Sequence, residues 1–225
     1  MKLLSKNNAK LLKGEKSGWL TLGLSLAPGK LSGANLCAWA SEGCLAACLN
    51  TAGMGIFSNV QAARIAKAKS FVADSKGFVA KLEKEIALAA KRAAKQNQKL
   101  AIRLNVISDI AWEKFGIFQK FPQVQFYDYT KNPNRALAFA RGEMPANYHL
   151  TFSRSESNQS FVEMVLAAGG NVAAVFSKLP ETWQGKKVVN GDENDLRFLD
   201  EKNIVVGLLA KGKAKKDESG FVVVK

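Results

Sequence analysis

The alternation of apolar and polar positions divides this chain into βα units. Trp19-Leu20-Thr21-Leu22-Gly23-Leu24-Ser25-Leu26 sets apolar residues against small or polar ones at a period of two and stops at Ala27-Pro28-Gly29, which predicts a strand. From Ser58 to about Ala73, Val60, Ala63, Ile65, Ala68, Phe71 and Val72 recur at helical spacing. Asp74 or Ser75 can cap a second helix, roughly Phe78 to Gln96, which buries Phe78, Leu82, Ile86 and Ala89 and turns lysines outward.

The rhythm then becomes regular. Strands are predicted at Leu100–Val106, Val124–Tyr129, Tyr148–Phe152, Val172–Phe176 and Ile204–Leu209. Helical segments between them fall near Trp112–Phe121, Asn134–Arg141 and Gln159–Ala168. Leu179–Lys202 reads as loop, and Phe221–Val224 as a short edge strand. Six strands alternating with helices predict a single α/β domain over residues 1–225 with a mostly parallel sheet, either doubly wound or a partial (β/α)6 TIM-like barrel. Both architectures put functional residues at the carboxyl ends of strands.

The segment directly after the first strand carries the chemistry. Cys37, Cys44 and Cys48 are the only cysteines of the chain, spaced C-x6-C-x3-C within the loop 37–48. Thiols used as small apolar filler would be scattered; these converge. Structural zinc needs a fourth ligand, and the single histidine, His149, lies inside a strand pattern. Three inert thiols and a lone cysteine nucleophile are the other readings. The best fit is a [4Fe–4S] cluster on three thiolates, which leaves one iron open to a small molecule.

Charge adds a possible partner. Lys and Arg outnumber Asp and Glu 33 to 19, a net charge of +14, concentrated in Lys2–Lys16, Lys81–Lys99 and Lys211–Lys216. Such runs are solvated faces or attract nucleic acid or another polyanion through its phosphates. They lack the interleaved aromatics of a stacking platform. No apolar run approaches the roughly 18 residues of a membrane span, no leader pattern opens the chain, and the odd, clustered thiols fit a reducing compartment, so a cytoplasmic protein without membrane partners is expected. No P-loop, dinucleotide-binding or nucleophile-elbow motif is present.

A strand, a three-cysteine loop and five further βα units resemble the core of the radical S-adenosylmethionine (SAM) superfamily, a partial (β/α)6 barrel. With Arg103-Leu104-Asn105-Val106-Ile107-Ser108-Asp109 and Tyr127-Asp128-Tyr129-Thr130-Lys131, the chain more closely resembles a bacteriophage-encoded family of unknown function, gene product eighty-eight. The resemblance implies a cluster on Cys37, Cys44 and Cys48. The loop is longer in both gaps than the superfamily's C-x3-C-x2-C, and no Gly-Gly-Glu run follows the second strand, so it implies the cluster more directly than SAM.

Asn105, Ser108, Asp109, Asp128 and Ser153 stand at predicted strand ends and are the expected cofactor-binding residues; helix and turn capping is their ordinary alternative. Arg103 interrupts an apolar strand and could hold a carboxylate or phosphate, or pair with Asp128. Trp39, Trp112 and Trp183 are expected to be packing residues. The expected function is that of an iron–sulfur protein of unknown reaction. The alternatives are a basic nucleic-acid-binding protein with structural zinc or inert thiols, and a redox or sensing iron–sulfur protein that does not use SAM.

Overall fold

The computed structural model describes residues 1–6 and 17–224. Its strands are β1 (Leu4–Ser5), β2 (Trp19–Leu24), β3 (Lys99–Arg103), β4 (Gln125–Thr130), β5 (Tyr148–Ser153), β6 (Val172–Phe176), β7 (Thr182–Trp183), β8 (Lys186–Asn190), β9 (Val205–Leu209) and β10 (Val222–Val223). The α-helices are α1 (Glu42–Ala46), α2 (Ser58–Ala73), α3 (Ser75–Lys95), α4 (Ile117–Lys120), α5 (Pro133–Ala140) and α6 (Gln159–Ala167). The basic run at Lys2–Lys16 lies, from residue 7 onward, outside the described residues.

Local chemistry sets the helix boundaries. Asp74 caps α3, its Oδ1 accepting the Gly77 N–H at 2.9 Å. Asn132 caps α5, whose first position is Pro133 with its preset φ. The helix expected over 112–121 is interrupted: a 3-10 turn, Trp112–Phe115, meets α4 at Gly116, which holds φ 69°.

The six expected strands, β2-β3-β4-β5-β6-β9, lie side by side in chain order, all parallel. Strands taken in order by right-handed crossovers put their helices on one face. That face is the main core: Leu20, Leu24, Leu100, Ile102 and Phe126 pack with Phe71, Phe78, Leu82 and Ile86. A second cluster joins Phe152, Val172, Phe176 and Val205 to Val162 and Leu166 of α6. On the opposite face Ala101 and Tyr127 pack with Phe198, from the 3-10 turn Arg197–Leu199.

The sheet is open and mostly parallel, and it does not close into a barrel. Antiparallel β1 occupies the free edge of β2, and β8 occupies the free edge of β9, so the first and last parallel strands never meet. The segment expected to be loop, Leu179–Lys202, supplies β8 and its antiparallel hairpin partner β7. The expected edge strand at the C-terminus is not at an edge. β5 bonds β6 only through Phe152–Val172 and Ser153–Ala173, and β10 wedges in beyond, pairing Val222 with Val175 and Val223 with Phe176.

Candidate functional site

All three cysteines line one cavity of about 800 Å³ at the carboxyl end of the sheet. Each of the six parallel strands contributes to its wall at that end: Gly23, Arg103, Tyr129, Ser153, Val175 and Leu208. The thiols are free and half-buried.

Short local bonds fold the cysteine loop. Leu36 N–H donates to Gly29 O at 3.0 Å, and Cys37 N–H to Asn35 Oδ1 at 3.0 Å. Ser41 caps α1, accepting Cys44 N–H at 3.2 Å. Ala47 packs on Ala214, Phe221 and Val222, with Cys44 and Val175 around them, so the C-terminal segment forms one side of the loop's seat. Gly43 lies so close to that segment that a Cβ there would stand 2.8 Å from Phe221 Cβ and closer still to Ser219 Oγ.

Backbone donors reach two of the sulfurs. Cys37 Sγ takes the Gly29 N–H, and Cys48 Sγ accepts from Asn50 N–H at 3.5 Å. Burial pushes the Cys37 thiol up to about 11, with the Cys48, Asp109 and Cys44 charges adding to it. Burial also raises Cys48, and the charge of Cys44 adds to that. Burial therefore favours the neutral thiol at Cys37 and at Cys48.

Among the described residues, no group of three or more His, Cys, Asp or Glu side chains stands close enough to hold a metal ion. The zinc set of three cysteines and His149 is accordingly not assembled. His149 is absent from the cavity wall, its ring set edge-on to Phe139 at 4.9 Å. A cluster makes a different demand, because each thiolate binds its own iron. The three thiols line a shared cavity, two of them with backbone N–H donors.

Of the expected cofactor-binding residues, Asn105, Ser108, Asp109 and Ser153 reach the cavity wall and Asp128 does not. All five are engaged within the protein. Asn105 Oδ1 accepts from Ser108 Oγ (3.0 Å), Ile110 N (2.9 Å) and Trp112 Nε1 (3.2 Å), while its amide donates to Ile110 O and Asp128 Oδ2. Asp109 accepts from Thr130 Oγ1, Lys131 N and Arg135 Nη1 at 2.7–2.8 Å. Ser153 Oγ accepts from Lys131 Nζ at 2.6 Å. Asp128, 1 % exposed, accepts from Asn105 N–H at 2.6 Å and Tyr148 O–H at 3.1 Å; burial lifts its carboxyl to about 7 against those donors.

Arg103 pairs with Asp195 at 3.0 Å, not with Asp128, and lies 4.5 Å from the Tyr129 ring centre. Burial works against its charge, but Asp195 together with Tyr129, Tyr127 and Asp128 more than offsets it, so the guanidinium stays charged more firmly than usual. Trp112 is fully buried and Trp183 packs edge-on to Phe176, as expected, whereas Trp39 is 45 % exposed.

Sequence reasoning missed Arg64, Lys131 and Asp195 as wall residues. Arg64 interrupts an alanine-rich helix, a signal equally typical of a solvated face. Asp195 sits in the stretch read as loop and carries no signal.

A family model described as gene product 88 matches residues 2–225, and the chain belongs to that family. No curated protein and no solved structure matches it.

Proposed function

We propose that this gene product 88 family member is an iron–sulfur protein in which Cys37, Cys44 and Cys48 hold a [4Fe–4S] cluster in the cavity at the strand ends. The observation that carries this is convergence: every cysteine of the chain, from one loop, lines the same cavity, Cys37 feels the charges of Cys48 and Cys44, and Cys48 feels that of Cys44. When bound, such a cluster supplies an electron-transfer centre with one iron lacking a protein thiolate. The chain's own part is to seat the loop, shield it, and stabilise thiolate charge with the Gly29 and Asn50 N–H groups.

The reading stops short of SAM chemistry. Asn105, Asp109 and Ser153, expected to bind a cofactor, are committed to internal bonds. A redox or sensing role is the simpler form of the proposal. Anaerobic purification with iron and sulfide assay and a visible spectrum tests it: brown protein with about four irons supports it. Colourless, iron-free protein overturns it.

One observation favours a second reading, polyanion binding. On α3, Lys76, Lys81, Lys84, Lys91, Arg92 and Lys95 are exposed. The helix's two central acids face elsewhere: Glu83 pairs with Lys120, and Glu85 accepts Leu3 and Leu4 N–H at 2.9 Å. Binding to duplex DNA should then weaken steeply with salt, with a log–log slope near −0.9 per phosphate contacted. A slope near zero removes this reading. No helix of the described residues is long and apolar enough to cross a membrane.

A further inference from the structure

The cavity wall carries five basic side chains, Arg64, Arg103, Lys131, Lys211 and Lys215, against three acidic ones, Asp109, Asp192 and Asp195. Each acid already has a cation: Asp109 has Arg135, Asp192 has Lys211, and Asp195 has Arg103. Arg64 and Lys131 have only neutral partners among the described residues. Arg64 Nη1 donates to Asn50 Oδ1 at 2.8 Å, and Lys131 Nζ donates to Ser153 Oγ at 2.6 Å.

The two cations line the same cavity and come from different elements. Arg64 comes from α2, and Lys131 from the end of β4; both charges act on the Cys48 thiol. Gly55 lies close beneath this group: a Cβ there would stand 2.5 Å from Asn50 O and 2.9 Å from Arg64 Nη1. Lys131 lies 5.5 Å from the Phe221 ring centre. Above them the cavity opens past Leu45, Leu49 and Met54, which are 49 %, 53 % and 63 % exposed although large and apolar.

Three wall cations unmatched by acid among the described residues, Arg64, Lys131 and Lys215, in a cavity with an exposed apolar lip, describe a ligand with a charged head and a hydrocarbon body. The cavity volume of about 800 Å³ is in the range that encloses one small organic molecule. We propose that this cavity binds a small organic anion, its carboxylate or phosphate head between Arg64 and Lys131 and its apolar body along Leu45, Leu49 and Met54. The site itself uses no metal, and it shares the cavity with the three thiols.

Isothermal titration of the as-purified chain with octanoate, octyl phosphate, 1-octanol and inorganic phosphate tests it. Octanoate or octyl phosphate should bind at one site per chain, at least about tenfold more tightly than octanol or inorganic phosphate; the tighter head names the source. Arg64→Met and Lys131→Met should each weaken that binding about tenfold or more, and Met54→Asp, at the exposed lip, should do the same without touching the core. Lys202→Met, exposed in the turn before β9, should change nothing. Equal affinity for octanol and octanoate, unsaturable binding, or affinity unmoved by both Lys131→Met and Met54→Asp overturns the site. Iron measured on the same samples separates the two proposals: an iron-free chain that binds octanoate sinks the cluster and leaves this site standing.

Discussion

Glu156 grips Gly43 across 113 residues of chain: its Oε1 accepts the Gly43 N–H at 2.8 Å, while its Oε2 accepts Ser41 O–H at 2.7 Å. The carboxylate thus sits on the first turn of α1, where unpaired N–H groups favour negative charge. It ties the cysteine loop to the end of β5, and so ties the loop to the sheet.

Glu156→Ala should destabilise the fold by about 1–2 kcal/mol, the loss of two charge-assisted hydrogen bonds at a partly exposed site, measured by urea denaturation. The same variant should speed reaction of the thiols with a disulfide reagent, with Glu156→Gln intermediate. Burial raises the Glu156 carboxyl, but the Ser41 and Gly43 bonds outweigh it and hold it below the usual range. A depressed carboxylate stabilises the fold above its unfolded value, near 4.3, and loses that contribution as pH falls through its folded one. The wild-type advantage over Glu156→Gln should therefore shrink in acid; an advantage that grows would contradict the assignment.

The Arg103–Asp195 pair should behave as a buried pair. Asp195 is 1 % exposed, and its carboxylate also accepts from Tyr127 O–H at 3.4 Å. Asp195→Ala alone should cost about 3–5 kcal/mol, because it strands a buried guanidinium. The double replacement Arg103→Met with Asp195→Leu should cost clearly less than the sum of the single ones in a double-mutant cycle. Additive losses would mean that the two side chains act separately.

The C-terminal wedge should be required to close the cysteine loop. A chain ending at Lys216 loses Phe221 and Val222, which are 8 % and 5 % exposed and pack on Ala47. Two such side chains are worth about 3–6 kcal/mol when buried. Thermal denaturation should show a lowered midpoint, and Cys44 should become the most reactive thiol by mass mapping.

The parallel strands and their helices were legible because each strand buries both faces and each helix buries a stripe, and those periods survive in Leu100–Val106 or Phe78–Gln96. The thiol site was legible because three rare side chains fall in one loop. The sheet edges were not. β1 has only two residues, β8 (Lys-Lys-Val-Val-Asn) buries none of its five fully, and β10 carries Val222 and Val223 to β6 beyond its short pairing with β5. Arg103 showed the same limit: its strand position marked it as unusual, but its partner came from Asp195, 92 residues away in a segment without periodicity.

His149 provides a pH test that is separate from the thiols. Its Nε2 is buried without a hydrogen-bond partner, and burial, with the Arg197 charge adding to it, lowers its pKa to about 4. In the unfolded chain it titrates near 6.5. Between those values the unfolded state takes up a proton that the folded state refuses, so the fold loses stability as pH falls from about 6.5 to about 4, by up to about 3 kcal/mol for this one group. Asp128 works in the opposite direction, since its raised carboxyl gains a proton in the folded state first as pH falls. Wild-type stability therefore mixes two opposing slopes, and His149→Gln separates them. Relative to wild type, the variant should become progressively more stable from pH 7 to pH 4.5 in urea denaturation, the difference flattening below about pH 4. A difference independent of pH would mean that His149 takes its proton as easily folded as unfolded, through a partner to its Nε2.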